Sequence, residues 1–175
     1  LVRLSARGSV VVPLEAPRAE LLAGIDGLSP GPADGAADEP LAAVSAAATL
    51  LRDLSGGFSA VVIVAAGTVD ASTPVRGDLL PGIIDSGTTV HVVQASADTG
   101  SDAGADLLKV LADQTRGQFT SIFSSASYGV ALDRLADRLS VEMMVEYLVP
   151  EGPRRGDVQV GVRKPGARVV GLGVR

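Results

Sequence analysis

The chain has 175 residues, of which 46% are hydrophobic and only 3% aromatic, so it is long enough for one domain with an aliphatic core. The absence of cysteine excludes disulfides, thiol nucleophiles and thiolate metal sites. The net charge of −5 argues against nucleic-acid binding, and no apolar run is long enough to span a membrane.

The N-terminal residues predict a β-hairpin followed by a helix. Apolar residues alternate over residues 1–7, a Gly-Ser turn follows, and residues 10–15 read as a second strand. Pro17 is typical of a first helical turn, and Gly27 of a helix end. The apolar face of this helix, which we expect to be buried, consists of Leu21, Leu22 and Ile25.

A second helix is predicted after a loop rich in proline and glycine at residues 29–37. Asp38 or Glu39 is expected to cap it, with Pro40 at an early helical position, and it runs to about Asp53. Its expected buried stripe consists of Leu41, Val44, Ala48, Leu51 and Leu54.

Strands and helices then alternate. The apolar run at residues 60–65 predicts a fully buried parallel strand, and residues 88–95 predict another. A short helix is expected between them at residues 76–85, where Pro81-Gly82 would interrupt or bend it. A further helix over residues 104–114 ends at Arg116-Gly117.

The last third predicts one more strand, one long helix and a β tail. The strand covers residues 119–123, and the helix runs from about Tyr128 to Val141. Its seam consists of Val130, Leu132, Leu135 and Leu139. In the tail, residues 158–162 and 169–174 read as two strands, and the residues Lys164-Pro165-Gly166-Ala167 between them suit a type II turn.

This order predicts an α/β fold with a doubly wound, mostly parallel sheet. We expect an α/β domain over residues 1–141 and a C-terminal β extension, a hairpin, over residues 142–175. The chain lacks an initiator Met and begins inside a strand-like pattern, so we expect it to be a piece of a longer protein.

Several segments together resemble the von Willebrand factor A (vWA) domain, in the bacterial type that carries a β tail. Residues 61–67 resemble a buried strand of that family, and residues 107–119 resemble its leucine-rich helix and following strand. Residues 132–137 resemble its last helix, and residues 147–166 its tail. The resemblance implies that the central first strand is missing from this chain, which would leave strand edges unpaired.

The resemblance also implies a non-enzymatic protein-interaction module with a degenerate metal-ion-dependent adhesion site. The family's Asp-x-Ser-x-Ser segment is absent, its Thr position falls near Glu39, and its last Asp position is Ala66. Alanine cannot ligate a cation, so we expect no metal or other cofactor, although Mg²⁺ and Ca²⁺ suit this kind of site.

The partner implied by the resemblance is a protein or another segment of the same protein, docked on the loops at one end of the sheet. The expected contact residues are Glu39, Ala66, Gly67, Thr68, Asp70, Asp98 and Asp102. Bacterial relatives with this tail are often exported, which implies an extracytoplasmic location.

Two alternatives stay open. The first is a structural or assembly domain that pairs strands with another chain. The second, less favoured, is a small α/β hydrolase or nucleotide-binding enzyme, but the sequence has neither a phosphate-binding loop motif nor a nucleophile elbow.

Three further groups of residues bear on possible chemistry. The single histidine, His91, is interpreted as a half-buried strand residue with a satisfied ring nitrogen. An acidic group at Asp98, Asp102 and Asp106 either binds Ca²⁺ or Mg²⁺ weakly or solvates a loop and a helix N-terminus. Phe123 and Tyr128 are interpreted as core or rim residues.

Overall fold

A computed structural model describes residues 1–2, 10–28, 38–53, 58–65, 79–95, 107–143, 145, 161–167 and 169. Five helices and three strands lie in these ranges. In chain order they are α1 (Arg18–Asp26), α2 (Asp38–Asp53), β1 (Ala60–Ala65), α3 (Leu79–Asp85), β2 (Thr89–Ala95), α4 (Leu107–Gln114), β3 (Phe119–Ile122) and α5 (Ser127–Val141).

The three strands form an open, all-parallel sheet in the order β1-β2-β3. Ala60 pairs with Thr89, and Val92 pairs with Phe119. The central strand, β2, is buried along all but its last residue, as a strand covered on both faces should be. The predicted α/β class is therefore confirmed, and the arrangement is compatible with Rossmann-like folds.

Two hydrophobic clusters lie on opposite faces of the sheet. The larger contains residues of α2, α3 and α4 packed on one face of β1 and β2. Its fully buried large side chains include Leu41, Ile63, Ile83, Leu108 and Leu111. The smaller joins Val93 and Ile122 to Leu135 of α5 on the other face. Successive strand residues point to opposite faces, which is why Val92 and Val93 belong to different clusters.

The prediction that the first strand is fully buried is wrong. Ile63 is 2% exposed, but Val62 and Val64, which point to the other face, are 42% and 55% exposed. Helix α5 packs over β2 and β3, and no described element covers this face of β1. A continuous apolar run therefore occurs here in an edge strand with one exposed face.

Several helix predictions also need correction. Leu21, Leu22 and Ile25 of α1 are exposed, and α1 buries no residue at all. Val130 of α5 is exposed too, so the seam of that helix does not include it. Pro81 does not interrupt α3, because it lies in the first turn, where its missing N–H has no intrahelical partner to lose.

The predicted N-terminal hairpin is present only as one antiparallel bridge between Val2 and Val10. Residues 11–15 form bends and turns, so the second strand expected there is wrong. At the other end, the Ala167 N–H donates to the Lys164 carbonyl (3.2 Å) and Gly166 has a φ of 78°, which confirms the type II turn. Most of the predicted flanking strands lies outside the described residues, and the hairpin is not confirmed.

Two residues join the end of α4 to β2, one by hydrogen bonds and one by close backbone packing. Thr115 Oγ1 accepts the Val90 N–H (3.0 Å) and donates to the Leu111 carbonyl (2.8 Å). Gly117 donates its N–H to the Ala112 carbonyl (2.8 Å) and lies directly against the Val90 backbone. The residues at the predicted helix end, Arg116-Gly117, therefore also lie where hydrogen bonds and close backbone packing join the end of α4 to the sheet.

Candidate functional site

The first candidate site is the edge at which β1 and β2 end. The two strands are parallel neighbours, so the chain leaves both from the same edge, which is where open α/β sheets bind ligands. Tyr128, in the first turn of α5, ties the two ends together. Its hydroxyl donates to the Ala65 carbonyl (2.6 Å) and accepts the Ala95 N–H (3.2 Å).

The residues predicted to form this site are mostly outside the described part of the chain. Glu39 is the second residue of α2, and its side chain is not among those described. Ala66 directly follows β1. The other predicted contact residues all lie outside the described residues: Ala66, Gly67, Thr68, Asp70, Asp98 and Asp102. The structure thus brings together the strand ends from which these loops leave.

The residues that the structure describes contain no group of three or more His, Asp or Glu side chains placed to hold a metal ion. The acidic group at Asp98, Asp102 and Asp106 lies outside them. The expectation of a site without metal thus stays a prediction.

The second candidate site runs along the side of β1 that faces away from β2. A cavity of about 450 Å³ lies there, between β1, α2 and the N-terminal residues; we call it the edge groove. Its lining from β1 and α2 is Ala60, Val61, Val62, Ile63, Ala43, Val44, Ala47, Leu50 and Leu51. Its N-terminal wall is Leu1, Val2, Val10, Val12, Pro13, Leu14 and Glu15. Among the described residues that line the groove, Glu15 alone has an ionisable side chain.

The backbone of β1 also presents hydrogen-bonding groups to the edge groove. The Thr89 N–H donates to the Ser59 carbonyl, and the bonds of a parallel ladder alternate between the two sides of a strand. The amides of Val61 and Ile63 therefore face β2. The amides and carbonyls of Val62 and Val64 face away from β2, and β1 pairs with no other described strand.

His91 lies away from both candidate sites, under the C-terminal half of α5. It is 1% exposed, and its Nδ1 accepts the Gln118 N–H (3.1 Å). Burial lowers the pKa of His91, with Arg138 adding to this shift and Glu142 opposing it. The expected half-burial is wrong, but one satisfied ring nitrogen is confirmed. Nε2 is buried without a hydrogen-bond partner among the described residues.

Sequence reasoning missed two of these features. It placed Tyr128 at a rim or in the core, but nothing local to residue 128 indicates a hydroxyl bridge to strand ends more than 30 residues away. It anticipated an unpaired edge on β1 only through the family resemblance. Nothing in the sequence indicates that Val62 and Val64 are exposed, because valine is equally common in buried strands.

The sequence matches no protein-family model and no curated protein. Among the described helices, none combines the length and the apolar character needed to cross a membrane.

Proposed function

We propose that this chain is a non-enzymatic protein-interaction module whose partner pairs with the outer side of β1. The observation that carries the proposal is the edge groove, an apolar cavity that runs beside the strand. Strand addition to a sheet edge is a recurrent way to bind an extended segment, in which backbone hydrogen bonds supply affinity and side-chain pockets supply specificity.

Pairing with β1 would be favourable because its outer edge has backbone groups and apolar side chains that pair with no other described strand. Val62 and Val64 expose apolar side chains, and their backbone groups point away from β2. Long apolar edges are normally covered, charged or shortened, because they otherwise template pairing with other chains. Six residues without a charge make up β1, which suits an edge that is meant to be covered.

A second candidate keeps the vWA-type function: a partner docks, without a metal ion, on the loops after β1 and β2. The bridge from Tyr128 favours it, because it joins the two strand ends, Ala65 and Ala95, from which the chain enters these loops. In this interpretation the sheet is doubly wound and lacks its first strand, and residues 142–175 form the family's β tail.

Amide hydrogen exchange of the ¹⁵N-labelled chain tests the main proposal. We expect the Val62 and Val64 amides to exchange at least about tenfold faster than those of Val61 and Ile63, which bond to β2 and serve as internal controls. Equal protection of all four amides would show that the edge is already covered and would exclude this surface.

A thermal melt with Mg²⁺, Mn²⁺ or Ca²⁺ tests the second candidate. A cation at about 100 times its Kd stabilises a protein by about 2.7 kcal/mol, or several degrees. We expect no such shift; a clear one would contradict metal-independent docking.

A further inference from the structure

We infer that His91 and the C-terminal end of α5 form a pH-sensitive switch, in which protonation of the buried ring releases the last turns of α5 from the sheet. The inference goes beyond the proposed pairing with β1 and does not depend on it. It follows from the hydrogen bonds of the ring, from its burial beneath α5 and from the few contacts that hold this end of the helix.

The His91 ring lies on the face of the sheet that α5 covers. Side chains of β2 alternate between the two faces, and Val93, two residues further along, packs with Leu135 of α5. The ring is 1% exposed. The charged groups that act on it, Arg138 and Glu142, lie at the C-terminal end of α5. It is therefore this end of the helix that separates the ring from water.

The hydrogen bonds of the ring suit only its neutral form. Nδ1 of His91 accepts the Gln118 N–H (3.1 Å), so the one proton of the neutral imidazole is on Nε2. A second proton would have to bind Nδ1, where it would face the N–H group that Nδ1 now accepts. Nε2 is buried without a hydrogen-bond partner among the described residues. A charged ring would therefore be buried with both of its N–H groups unpaired, an arrangement of high free energy.

Gln118 connects the ring to α5. Its backbone N–H donates to His91, its backbone carbonyl accepts the Val92 N–H (2.8 Å), and its side-chain Oε1 accepts a hydrogen bond from Arg138 Nη1 (2.7 Å). A movement of Gln118 that separates the two facing N–H groups would also disturb its bond to Arg138. The Arg138 guanidinium repels a charged ring as well, which adds to the lowering of the His91 pKa by burial.

The end of α5 is the part of this arrangement that can yield. The central strand, β2, pairs with a strand on each side, whereas after Leu135 only Leu139 of α5 packs against the cluster on this face. The other residues from 136 to 141 are exposed. Segments with few buried apolar contacts open at a low cost in free energy. Protonation therefore favours a state in which the last turns of α5 leave the sheet and the ring reaches water.

The charges around the ring give the switch a sign that can be tested. Neither β1 nor β3 contains a charged residue, and Arg116, in the turn before β3, is exposed. On α5, Arg138 lowers the pKa of His91 and Glu142 raises it, while burial lowers it most. Neutralising these two side chains should therefore change the pH dependence of the opening in opposite directions.

The first test is amide exchange of the ¹⁵N-labelled chain at pH 7.5 and 5.5, with each rate divided by the intrinsic rate at that pH. We expect protection of the Gln118 and Leu139 amides to fall at least about threefold more than that of Val61 and Ile63, which report global unfolding. The ceiling is about tenfold, set by the ordinary pKa of 6.5 for a His91 ring in contact with water. An equal loss at all four amides would overturn the inference.

The matched variant for this test is His91→Asn. It keeps an acceptor for the Gln118 amide but cannot titrate, so the extra loss of protection at Gln118 and Leu139 should disappear. An extra loss that persists in this variant would assign the opening to another group and overturn the switch.

A second test uses variants that leave the buried residues intact. Arg138→Gln and Glu142→Gln alter exposed side chains, and glutamine at 138 keeps a donor for Gln118. Because the chain has one histidine, a ¹H–¹³C spectrum gives a single ring signal to titrate. At low ionic strength, Arg138→Gln should raise the His91 pKa and reduce the extra loss of protection at Leu139, whereas Glu142→Gln should do the reverse. Changes of the same sign in both variants, or Leu139 protection that does not follow the His91 pKa, would overturn the inference.

Discussion

Replacing Gly117 with alanine tests how α4 is fastened to the sheet. A Cβ at this position would lie 2.5 Å from the Val90 carbonyl carbon and 3.2 Å from its nitrogen, and closer still to its oxygen. Ordinary contacts between carbon atoms are about 3.5–4.0 Å, so the two backbones would have to move apart by about 1 Å. Neither side can yield by a side-chain rotation, because the obstructing atoms belong to the main chain of the central strand.

The loss of folding free energy can be estimated from the hydrogen bonds that join β2 to residues 115–118, at the end of α4. They join the Val90 N–H to Thr115 Oγ1 (3.0 Å), the Gln118 N–H to His91 Nδ1 (3.1 Å) and the Val92 N–H to the Gln118 carbonyl (2.8 Å). Each buried donor left without its acceptor costs about 1–3 kcal/mol, so the loss of all three bonds in Gly117→Ala should destabilise the domain by about 3–9 kcal/mol. That is a large part of the roughly 5–15 kcal/mol typical of a folded domain.

Urea unfolding followed by far-UV circular dichroism measures the loss. The control is Gly129→Ala: Gly129 lies within α5, and no heavy atom would be within 4 Å of the new Cβ. The control should be more stable than the natural chain by about 0.5–1 kcal/mol, because alanine is the better helix former. A Gly117→Ala protein within about 0.5 kcal/mol of the natural chain would refute the steric argument.

Two further predictions concern the hydrogen bonds of His91 and Tyr128. Burial lowers the pKa of His91 below its ordinary 6.5. As the pH falls, His91 is therefore protonated in the unfolded chain before it is protonated in the folded chain. His91 should therefore cost no stability well above pH 6.5, and the free energy of unfolding should fall as the pH drops below 6.5. His91→Asn, which keeps an acceptor for the Gln118 amide, should reduce this loss in urea midpoints measured at pH 7.5 and 5.5; an unchanged loss would assign it to other groups. Tyr128→Phe should cost about 1–2 kcal/mol and speed exchange of the Ala95 amide but not of Val93, since the bridge between β1 and β2 is lost; an unaltered Ala95 amide would contradict the bridge.

Local sequence signals predicted most of the elements. The run at residues 60–65 matches β1, and the helix from Asp38 to Asp53 has the predicted bounds. The end of α4 at Arg116-Gly117 was also predicted. These signals succeed because caps, glycines and apolar periodicity act within a few residues of one another.

Burial was predicted less well, because it depends on neighbours that periodicity does not reveal. The apolar run of β1 is typical of a strand covered on both faces. Val64 is nevertheless 55% exposed, because α5 packs on β2 and β3 and no described element covers this face of β1. Leu22 of α1 has a helical spacing typical of a buried face, but α1 buries none of its residues and Leu22 is exposed. Residues of the candidate site such as Thr68 and Asp98 could be selected only from a family resemblance, and they lie outside the described residues.

The strand order of the sheet has a consequence for how the chain folds. Because β1, β2 and β3 are neighbours in chain order, 29 residues separate Ala60 from its partner Thr89 and 27 separate Val92 from Phe119. The entropy lost in closing two loops of such similar length differs by less than about 0.1 kcal/mol. Loop closure therefore favours neither pairing, and β2 is the strand that both pairings share. We expect substitutions in β2, which takes part in both pairings, to slow folding more than substitutions in β1, which takes part in one.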